Sequence, residues 1–442
     1  MDELALVNGF ILADPDEGRI LPHNSTRIAD GKLVRVNGSR DPHSRDDSIL
    51  DCSGCLIMPG LINGHAHAAM SLLRGLADDL PLEIWLNEYI FPSERKHVGP
   101  ELVYLGTALS AVEMALNGIT ACADGYFFME YAAQAFLDVG LRAVVAQGIL
   151  DVPAPDALEA GSWKERAERF LAACPSSPSI SPALFCHSAY LCSPETLRDA
   201  TRLAKENRIP LFSHVSETSS EVEDILSRYG RRPVEHLDAL GLLGERFVAV
   251  HCVHISDHEQ SLLAQSGTKV IHCPESNMKL ASGSSPIWHL SARGVTVGLG
   301  TDGPASNNNL DMFEEMRTAS LAAKLVTRDP QALSARQALK MATIDCARAL
   351  GMDDRIGSLV PGKLADLVVV DLDKPHLTPL YDPISHLVYA ARGSDVRDVI
   401  VSGRVVVRQG KIRTIDESNI KRRARAMASE IGRQVGARAY GV

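Results

Sequence analysis

Over residues 56–355, short apolar runs alternate with longer segments in which hydrophobic residues recur at helical spacing. The longer segments, such as ELVYLGTALSAVEMALNG and PETLRDATRLAKENR, are typical of amphipathic helices. The eight apolar runs have the length of β-strands, and they are CLIMPGLING, GITACADG, LRAVVAQGIL, SPALFCHS, IPLFSHVS, FVAVHCVH, TKVIHCPE and VTVGLGTD. Strands alternating with helices in this number predict an α/β fold, a parallel (β/α)8 barrel of the TIM type.

The two ends of the chain show a different pattern, in which short apolar runs are broken by Gly, Pro, Asn and Asp. Residues 1–55 contain ALVNGFIL and GKLVRVNG, and residues 356–442 contain LADLVVVDLD and VRDVIVSGRVVVRQGKI. Neither end is long enough to bury a core alone, so we expect both ends to form one small β-sandwich. The final segment, 416–440, is basic and amphipathic and predicts a C-terminal helix packed on the outside.

Composition narrows the class of protein. The chain has 442 residues, of which 45% are hydrophobic and 23% charged, as in water-soluble globular proteins. Its net charge of −10 argues against nucleic-acid partners and anionic membranes. The acidic N-terminus, MDELALVNGFILADPDEG, has no apolar core typical of a signal peptide or membrane span. Nine cysteines, an odd number, favour reduced thiols, so we expect a cytoplasmic protein. We also expect a small-molecule substrate and a homo-oligomeric protein.

Three short motifs resemble sites for dinucleotide binding, phosphate binding or redox activity, but the neighbouring sequence does not support these functions. The run GLGTDG at 298–303 matches a dinucleotide-binding fingerprint, but two helical patterns follow it with no strand between them. The run at 357–363 resembles a phosphate-binding loop, yet Leu364 stands where Ser or Thr would bind magnesium. The CSGC run at 52–55 precedes a strand rather than a helix, which disfavours a redox role.

Titratable residues stand at the ends of the predicted barrel strands, where active sites of such barrels form. Five of the eight strand ends carry them, and these residues are His65, His67, His187, His214, Glu217, His251, His254 and Asp302. Chance would scatter the 15 histidines along the chain. The pattern therefore predicts a functional site at the C-terminal face of the barrel.

The spacing of these residues favours a metal site. His65 and His67 are two residues apart on a strand, so both side chains point the same way and can bind one ion. His214 and Asp302 complete a set of three imidazoles and one carboxylate, which suits zinc, with iron or manganese as other candidates. A bridging lysine for a second metal is missing, because strand four ends at His187, so we expect one divalent ion.

A non-enzymatic alternative exists. A barrel can keep this geometry after losing its metal and act as a scaffold or as a ligand-binding protein. Such a protein should lack some of the ligands, and none is missing from this sequence.

The chain resembles the amidohydrolase superfamily, in its single-metal deaminase and chlorohydrolase branch. The resemblance rests on PGLINGHAHAAMSLLRGLADDLPLEIWL, FCHSAYLCSPETL, SHVSET, HCVH, HCPESNMKLASG, GTDGPASNNNLDMFEEMR and PGKLADLVVVD, and it spans nearly the whole chain. Within that branch the sequence is most similar to the 5′-methylthioadenosine/S-adenosylhomocysteine deaminases. The alternatives are an aminopterin- or guanine-type deaminase and an s-triazine amino- or chlorohydrolase.

The resemblance implies a role for each candidate residue. The implied metal ligands are His65, His67, His214 and Asp302; the implied catalytic residues are Glu217, His251 and Asp302; and the implied substrate contacts are Trp85, Glu94, Gln147, His187, Glu217 and Asp302. In the implied reaction, Asp302 takes a proton from water, Glu217 protonates the ring nitrogen, and ammonia leaves. His251 orients the water, and Glu94 holds the ribose hydroxyls.

One departure from the resembling deaminases concerns the third strand. Those enzymes can present an arginine there to meet the homocysteine carboxylate, whereas this chain has Gln147. A neutral amide cannot replace the charged fork of arginine, so we expect a nucleoside with a small or uncharged 5′ group. Lys164 or Arg166, in the following loop, could overturn this expectation by supplying the missing charge.

Overall fold

The computed structural model describes residues 3–38, 49–159 and 162–435. Its strands are β1 (Glu3–Leu12), β2 (Ile20–Ala29), β3 (Lys32–Gly38), β4 (Ile49–Asp51), β5 (Cys55–Pro59), β6 (Leu61–Ala66), β7 (Ile119–Tyr126), β8 (Arg142–Ile149), β9 (Ile180–Ser188), β10 (Leu211–Val215), β11 (Phe247–His251), β12 (Lys269–His272), β13 (Val297–Leu299), β14 (Leu367–Asp371), β15 (Val396–Val401), β16 (Arg404–Arg408) and β17 (Lys411–Ile412).

The α-helices surround the strands. They are α1 (Leu82–Ile84), α2 (Phe91–His97), α3 (Pro100–Leu116), α4 (Met129–Val139), α5 (Trp163–Ala173), α6 (Pro194–Asn207), α7 (Ser219–Tyr229), α8 (Pro233–Ala239), α9 (Asp257–Ser266), α10 (Pro274–Lys279), α11 (Ile287–Ala292), α12 (Met312–Thr327), α13 (Ala335–Met341), α14 (Ile344–Ala349), α15 (Pro383–Tyr389) and α16 (Glu417–Val435). A π-helical turn, Trp85–Ile90, joins α1 to α2, and short 3₁₀ turns cover Ala68–Leu73, Pro375–Leu377 and Gly393–Asp395.

The predicted barrel is confirmed. Strands β6 to β13 lie side by side in chain order in one eight-stranded sheet, and their ladders are parallel. The barrel closes where Ala66 bridges Asp302. Gly300 permits this close approach, because a Cβ there would lie 2.7 Å from the backbone nitrogen of His65. The glycines of GLGTDG thus close a barrel, and α12 and α13 follow β13 with no strand between them.

The first predicted barrel strand, CLIMPGLING, is two strands in two different sheets. Its first half, β5, pairs with β1 and β14 from the chain ends, whereas its second half, β6, pairs with β7 in the barrel. The chain changes sheet at Gly60, where a Cβ would lie 2.0 Å from Oγ1 of Thr120. A continuous apolar run hides this change, because both halves are fully buried.

Strands from both chain ends meet in one mixed sheet. Nine strands take part, in the order β17-β16-β15-β14-β5-β1-β2-β3, with β4 paired to β1. The end domain is therefore one hydrogen-bonded sheet in which alternate side chains, such as Leu6, Ile57 and Val369, share a core. Their neighbours Met58 and Val368 belong to the main core with the barrel. The predicted division at residues 55 and 355 stays a prediction.

The structure shows what surrounds Lys363 of the 357–363 run and the two cysteines of the CSGC run. The side chain of Lys363 donates to Oγ of Ser358 at 2.7 Å and to the carbonyl of Ile356 at 3.3 Å, so it fastens a turn. The buried thiols of Cys52 and Cys55 lie 3.5 Å and 3.2 Å from the guanidinium of Arg397. Across the part of the chain that the structure describes, no helix has the length and apolarity needed to cross a membrane.

Candidate active site

The four predicted metal ligands meet at the C-terminal face of the barrel. One ligand atom from each of His65, His67, His214 and Asp302 lies within 4.8 Å of the others. Oδ1 of Asp302 is 3.3 Å from Nε2 of both His65 and His67. The Nε2 atoms of His65 and His214 are 3.4 Å apart. A tetrahedral zinc site with bonds of about 2.0–2.1 Å has ligand separations of about 3.3–3.4 Å, so these side chains fit one such ion.

Outer contacts orient two of these side chains. Nδ1 of His67 donates to the carbonyl of Gly125 at 2.5 Å, which leaves Nε2 free to coordinate. Oδ2 of Asp302 accepts hydrogen bonds from Ser276 at 2.6 Å and Ser306 at 2.9 Å, which turns Oδ1 toward the histidines. Sequence reasoning did not identify Ser276 or Ser306, although both lie in the quoted motifs HCPESNMKL and GTDGPASNN.

Burial and neighbouring charges set the protonation of the cluster. Burial lowers the pKa of His65 to about 4, so this imidazole is neutral near pH 7, as metal binding requires. Burial opposes the charge of Asp302, yet the hydrogen bond with His65 and the surrounding imidazoles hold its pKa well below the usual range. Neutral nitrogens and an ionised carboxylate are the forms that bind a divalent cation.

Glu217 and His251 lie beside this cluster. Nε2 of His251 is 3.7 Å from Oε2 of Glu217, and its Nδ1 is 2.9 Å from Oδ1 of Asn277. The Asn277 oxygen can only accept, so Nδ1 of His251 carries a proton and Nε2 faces Glu217. Burial raises the pKa of Glu217, which favours the protonated acid. Burial alone would lower the pKa of His251, but the carboxylates of Glu217 and Asp302 raise it overall.

A buried carboxylate, Glu221, holds the backbone that carries Glu217. Its two oxygens accept from the backbone N–H groups of Ser216 and Glu217, both at 2.8 Å. Ser216 has a φ of 52°, and His251 and Asp302 have φ values of 72° and 61°. Left-handed backbone at non-glycine residues is uncommon and concentrates at functional sites. The backbone strain at this cluster therefore points to a functional role.

A cavity opens above the cluster and contains most of the predicted site residues. The predicted residues that line it are His67, Trp85, Glu94, His187, His214, Glu217, His251 and Asp302. His65 lies beneath them and is 1% exposed. The remaining wall is mostly apolar, and much of it comes from the segment around the start of α2 and from the loop after β8, including Leu86, Phe91, Leu150 and Pro153. Tyr126, at the end of β7, also lines the cavity. Sequence reasoning missed these apolar residues because nothing distinguishes them from core residues.

Gln147 is the one predicted site residue that neither lines the cavity nor belongs to the cluster. Its side chain is fully buried behind the wall, where Nε2 donates to Oδ2 of Asp156 at 3.0 Å. Arg166 is also turned away, since it is paired with Asp156 at 2.9 Å and Glu130 at 2.6 Å. Lys164 is exposed on α5. None of these three residues supplies the cavity with a charge.

Two titratable side chains lie farther from the cluster along the cavity wall. Glu94 is 6% exposed, and Oε1 of its carboxylate accepts from the hydroxyl of Tyr126 at 2.5 Å. Burial raises the pKa of Glu94 to about 7, although the hydrogen bond from Tyr126 opposes this rise. Arg95 is exposed and is the single lysine or arginine among the described residues that line the cavity.

A (β/α)8 barrel with a three-histidine, one-aspartate cluster and an adjoining buried acid defines a metal-dependent hydrolase. Residues 56–406 match the Amidohydrolase family, and the chain belongs to that family. It is 46% identical over 431 residues to a 5-methylthioadenosine/S-adenosylhomocysteine deaminase of Syntrophobacter fumaroxidans, covering 97% of this chain and 98% of that protein.

Two further comparisons also show similarity to deaminases. The chain is 44% identical over 409 residues to a 5′-deoxyadenosine deaminase of Methanothermobacter thermautotrophicus, with 92% of this chain and 94% of that protein covered. The crystal structure of an adenosine deaminase from Xanthomonas campestris with bound zinc superposes with a TM-score of 0.93 at 38% identity. That likeness covers 97% of this chain and 98% of the other.

Proposed function

We propose that this protein is a metal-dependent hydrolytic deaminase that converts the amino group of an adenine nucleoside into a carbonyl and releases ammonia. The observation that carries the proposal is the placement of Glu217, a buried acid of raised pKa, at the cavity wall beside His251 and the metal-ligand cluster. The names of the relatives support the adenine nucleoside as the substrate class.

The chain's own residues supply the proton transfers in this proposal. A divalent ion bound by the cluster would provide a water with a pKa lowered to about 7. Asp302 would accept a proton from the attacking water, and His251 would orient that water through its Nε2. Glu217 donates a proton to the ring nitrogen next to the amino-bearing carbon. The water oxygen adds to that carbon, and the carbon's bond to the amino nitrogen then breaks. Asp302 passes its proton to the departing ammonia, and the proton left on the added oxygen returns to Glu217 as the carbonyl forms.

The proposed ion is a single zinc. The bound zinc in the adenosine deaminase from Xanthomonas campestris supports this choice. His187, at the end of β9, occupies the place where a modified lysine would bridge to a second metal. Its buried ring lies 4.9 Å from that of His214, and we propose that it contacts the substrate rather than the ion. Trp85, which lines the cavity and is 6% exposed, is proposed as a second contact.

We further propose that the 5′ group of the nucleoside is small or uncharged, as in 5′-methylthioadenosine or adenosine. The apolar wall formed by Leu150, Val152 and Pro153 supports this, as do the positions of Gln147 and Arg166 outside the cavity. Arg95, at the cavity wall, is the residue through which a carboxylate-bearing substrate could still bind. A cytoplasmic location and a homo-oligomeric state also remain proposals, the former supported by nine unpaired cysteines.

A coupled ammonia assay over a substrate panel tests the proposed function. The panel holds 5′-methylthioadenosine, adenosine, S-adenosylhomocysteine, guanine, an aminopteridine and an aminotriazine. We expect ammonia from the adenine nucleosides, with the highest kcat/KM for an uncharged one. Ammonia from the aminotriazine or aminopteridine alone would assign another substrate class, and tight binding without product would support a scaffold.

A further inference from the structure

We propose that Tyr126 is a positioning residue that selects ribonucleosides, because its hydroxyl holds the Glu94 carboxylate in the orientation that receives the ribose diol. This inference rests on the proposed function. Nothing in the sequence motifs singled out Tyr126, which lies at the C-terminal end of β7.

The hydrogen bond between Tyr126 and Glu94 joins two different parts of the fold. Glu94 belongs to α2, outside the barrel, whereas Tyr126 is the last residue of a barrel strand. The distance between the Tyr126 oxygen and Oε1 of Glu94 is 2.5 Å, typical of a hydroxyl bonded to a carboxylate. Among the described residues, Tyr126 is the single hydrogen-bond partner of this carboxylate. The orientation of Glu94 therefore depends on Tyr126.

Tyr126 is suited to be a permanent donor. It is 6% exposed, and burial together with the adjacent Glu94 charge holds its pKa well above the usual range. A phenol that stays protonated can donate but cannot repel the carboxylate. With Oε1 occupied in this way, the second oxygen of Glu94 remains for a ligand in the cavity.

The same short segment also orients the metal-ligand cluster. Gly125, directly before Tyr126, accepts the hydrogen bond from Nδ1 of His67 at 2.5 Å. A side chain at position 125 would meet the ring of Phe185 at 2.7 Å, so the backbone there is closely packed. One rigid strand end thus fixes both the cluster and the carboxylate. The spacing between His67 and Glu94, which a nucleoside must match at its base and its sugar, therefore depends in part on the end of β7.

The test compares adenosine with 2′,3′-dideoxyadenosine, which lacks the two hydroxyl groups. We expect the wild-type protein to prefer adenosine in kcat/KM by at least tenfold, and Tyr126→Phe to reduce that preference about tenfold, mainly through KM for adenosine. Activity on dideoxyadenosine should change less than twofold, since that substrate does not need the orientation of Glu94. The ratio separates positioning from general damage, because both substrates share the same ammonia-releasing steps.

Two further variants sharpen the test. Glu94→Gln alone should remove the preference for adenosine over dideoxyadenosine. In the double variant with Tyr126→Phe, the ratio of the two kcat/KM values should differ less than twofold from that of Glu94→Gln. Tyr104→Phe removes a hydroxyl–carboxylate bond of 2.7 Å to Asp138, on helices α3 and α4, and should leave the ratio unchanged.

Each outcome bears on the inference. A wild-type preference that survives Tyr126→Phe overturns the inference and leaves the proposed function intact. Equal losses on both substrates also overturn it, because they assign Tyr126 a general structural role. No wild-type preference for adenosine would instead remove the proposed ribose contact of Glu94. Where Tyr126→Phe does not fold, an unchanged ratio in Glu94→Gln still overturns the inference, because Tyr126 would then have no ribose contact to position.

Discussion

At the scale of single residues, hydrogen bonds to the backbone, rather than to the side chain, hold Glu217 in position. Its N–H group and that of Ser216 both donate to Glu221, and Ser216 adopts left-handed backbone geometry. The side chain is therefore free to serve as an acid at the cavity wall, with His251 as its neighbour.

Glu217→Gln should keep the metal bound and lower kcat by about 10²–10⁴, because glutamine preserves size but cannot donate the required proton. Metal analysis and steady-state kinetics on the same preparation check this. Glu223→Gln, on the exposed face of α7, is the matched control and should behave as wild type. An unchanged kcat in Glu217→Gln would remove this residue from the proton transfers.

We predict that Glu94 makes substrate choice depend on pH. Burial raises its pKa to about 7, so the carboxylate is protonated below that pH and ionised above it. An ionised carboxylate accepts two hydrogen bonds from a diol more strongly than a protonated one. The preference for adenosine over dideoxyadenosine should therefore rise as pH increases through about 7. Glu94→Gln should make the ratio independent of pH, and a flat ratio in the wild type would be inconsistent with this role.

The candidate ligands could be predicted from the sequence because His65 and His67 stand two residues apart at the end of an apolar run, although β6 itself ends at Ala66. The residues that orient the site were not visible in the same way. Ser276 and Asn277 lie on α10, far from their partners in sequence, and a serine or asparagine has no distinctive spacing. Gln147 also stands near a strand end, yet its side chain bonds to Asp156 and does not line the cavity. Its predicted contact with the substrate stays a prediction.

At the scale of elements, the loop after β8 forms one wall of the cavity and is fastened by a buried carboxylate. Oδ2 of Asp156 accepts from the backbone of Phe128 at 2.8 Å, from Gln147 at 3.0 Å and from Arg166 at 2.9 Å. The Asp156 side chain is 1% exposed, so water could not take over as acceptor for these three donors if the carboxylate were removed. The shape of the apolar wall therefore depends on this one residue.

Asp156→Asn should raise KM for the nucleoside more than it lowers kcat, because the wall lies away from the proton-transfer groups. Asparagine has no charge to pair with Arg166, and its neutral oxygen accepts hydrogen bonds more weakly than a carboxylate. We therefore expect a loss of about 1–3 kcal/mol in the free energy of unfolding. Urea denaturation and steady-state kinetics check both effects. Glu159→Gln, exposed in the same loop, is the control, and equal behaviour of the two variants would contradict this role for Asp156.

The barrel could be predicted from the alternation of strands and helices in the sequence. Eight apolar runs separated by amphipathic segments can form few folds other than a parallel barrel. The division of CLIMPGLING between β5 and β6 did not follow, because both sheets bury that run completely. Only the three-dimensional crowding of Gly60 against Thr120 marks the point where the chain leaves one sheet for the other.

At the scale of the whole molecule, a buried ion pair joins the barrel to the end sheet. Arg142 begins β8, and its Nε lies 2.9 Å from Oδ2 of Asp366, which precedes β14. The guanidinium also donates to Ser402 at 2.8 Å and to the carbonyl of Pro178 at 2.9 Å. Both charged side chains are 1% exposed, so water cannot replace the hydrogen bonds that Arg142 and Asp366 make with each other and with their neighbours.

Arg142→Met should lower the free energy of unfolding by about 3–5 kcal/mol, because it leaves the Asp366 charge buried without its partner. Chemical denaturation measures this loss. Arg202→Met removes an exposed pair with Asp199 and should cost less than about 0.5 kcal/mol. Similar losses in the two variants would show that the buried pair does not hold the barrel and the end sheet together.

We propose that one metal ion, held by His65, His67, His214 and Asp302, makes this barrel a deaminase. The most direct test removes metal with a chelator, adds zinc back in measured amounts, and records ammonia release from 5′-methylthioadenosine at each step. We expect no release from the metal-free protein and a linear rise that stops at one zinc per chain. Full activity without metal, a rise that continues to two zinc ions, or no ammonia from the loaded protein would contradict the account.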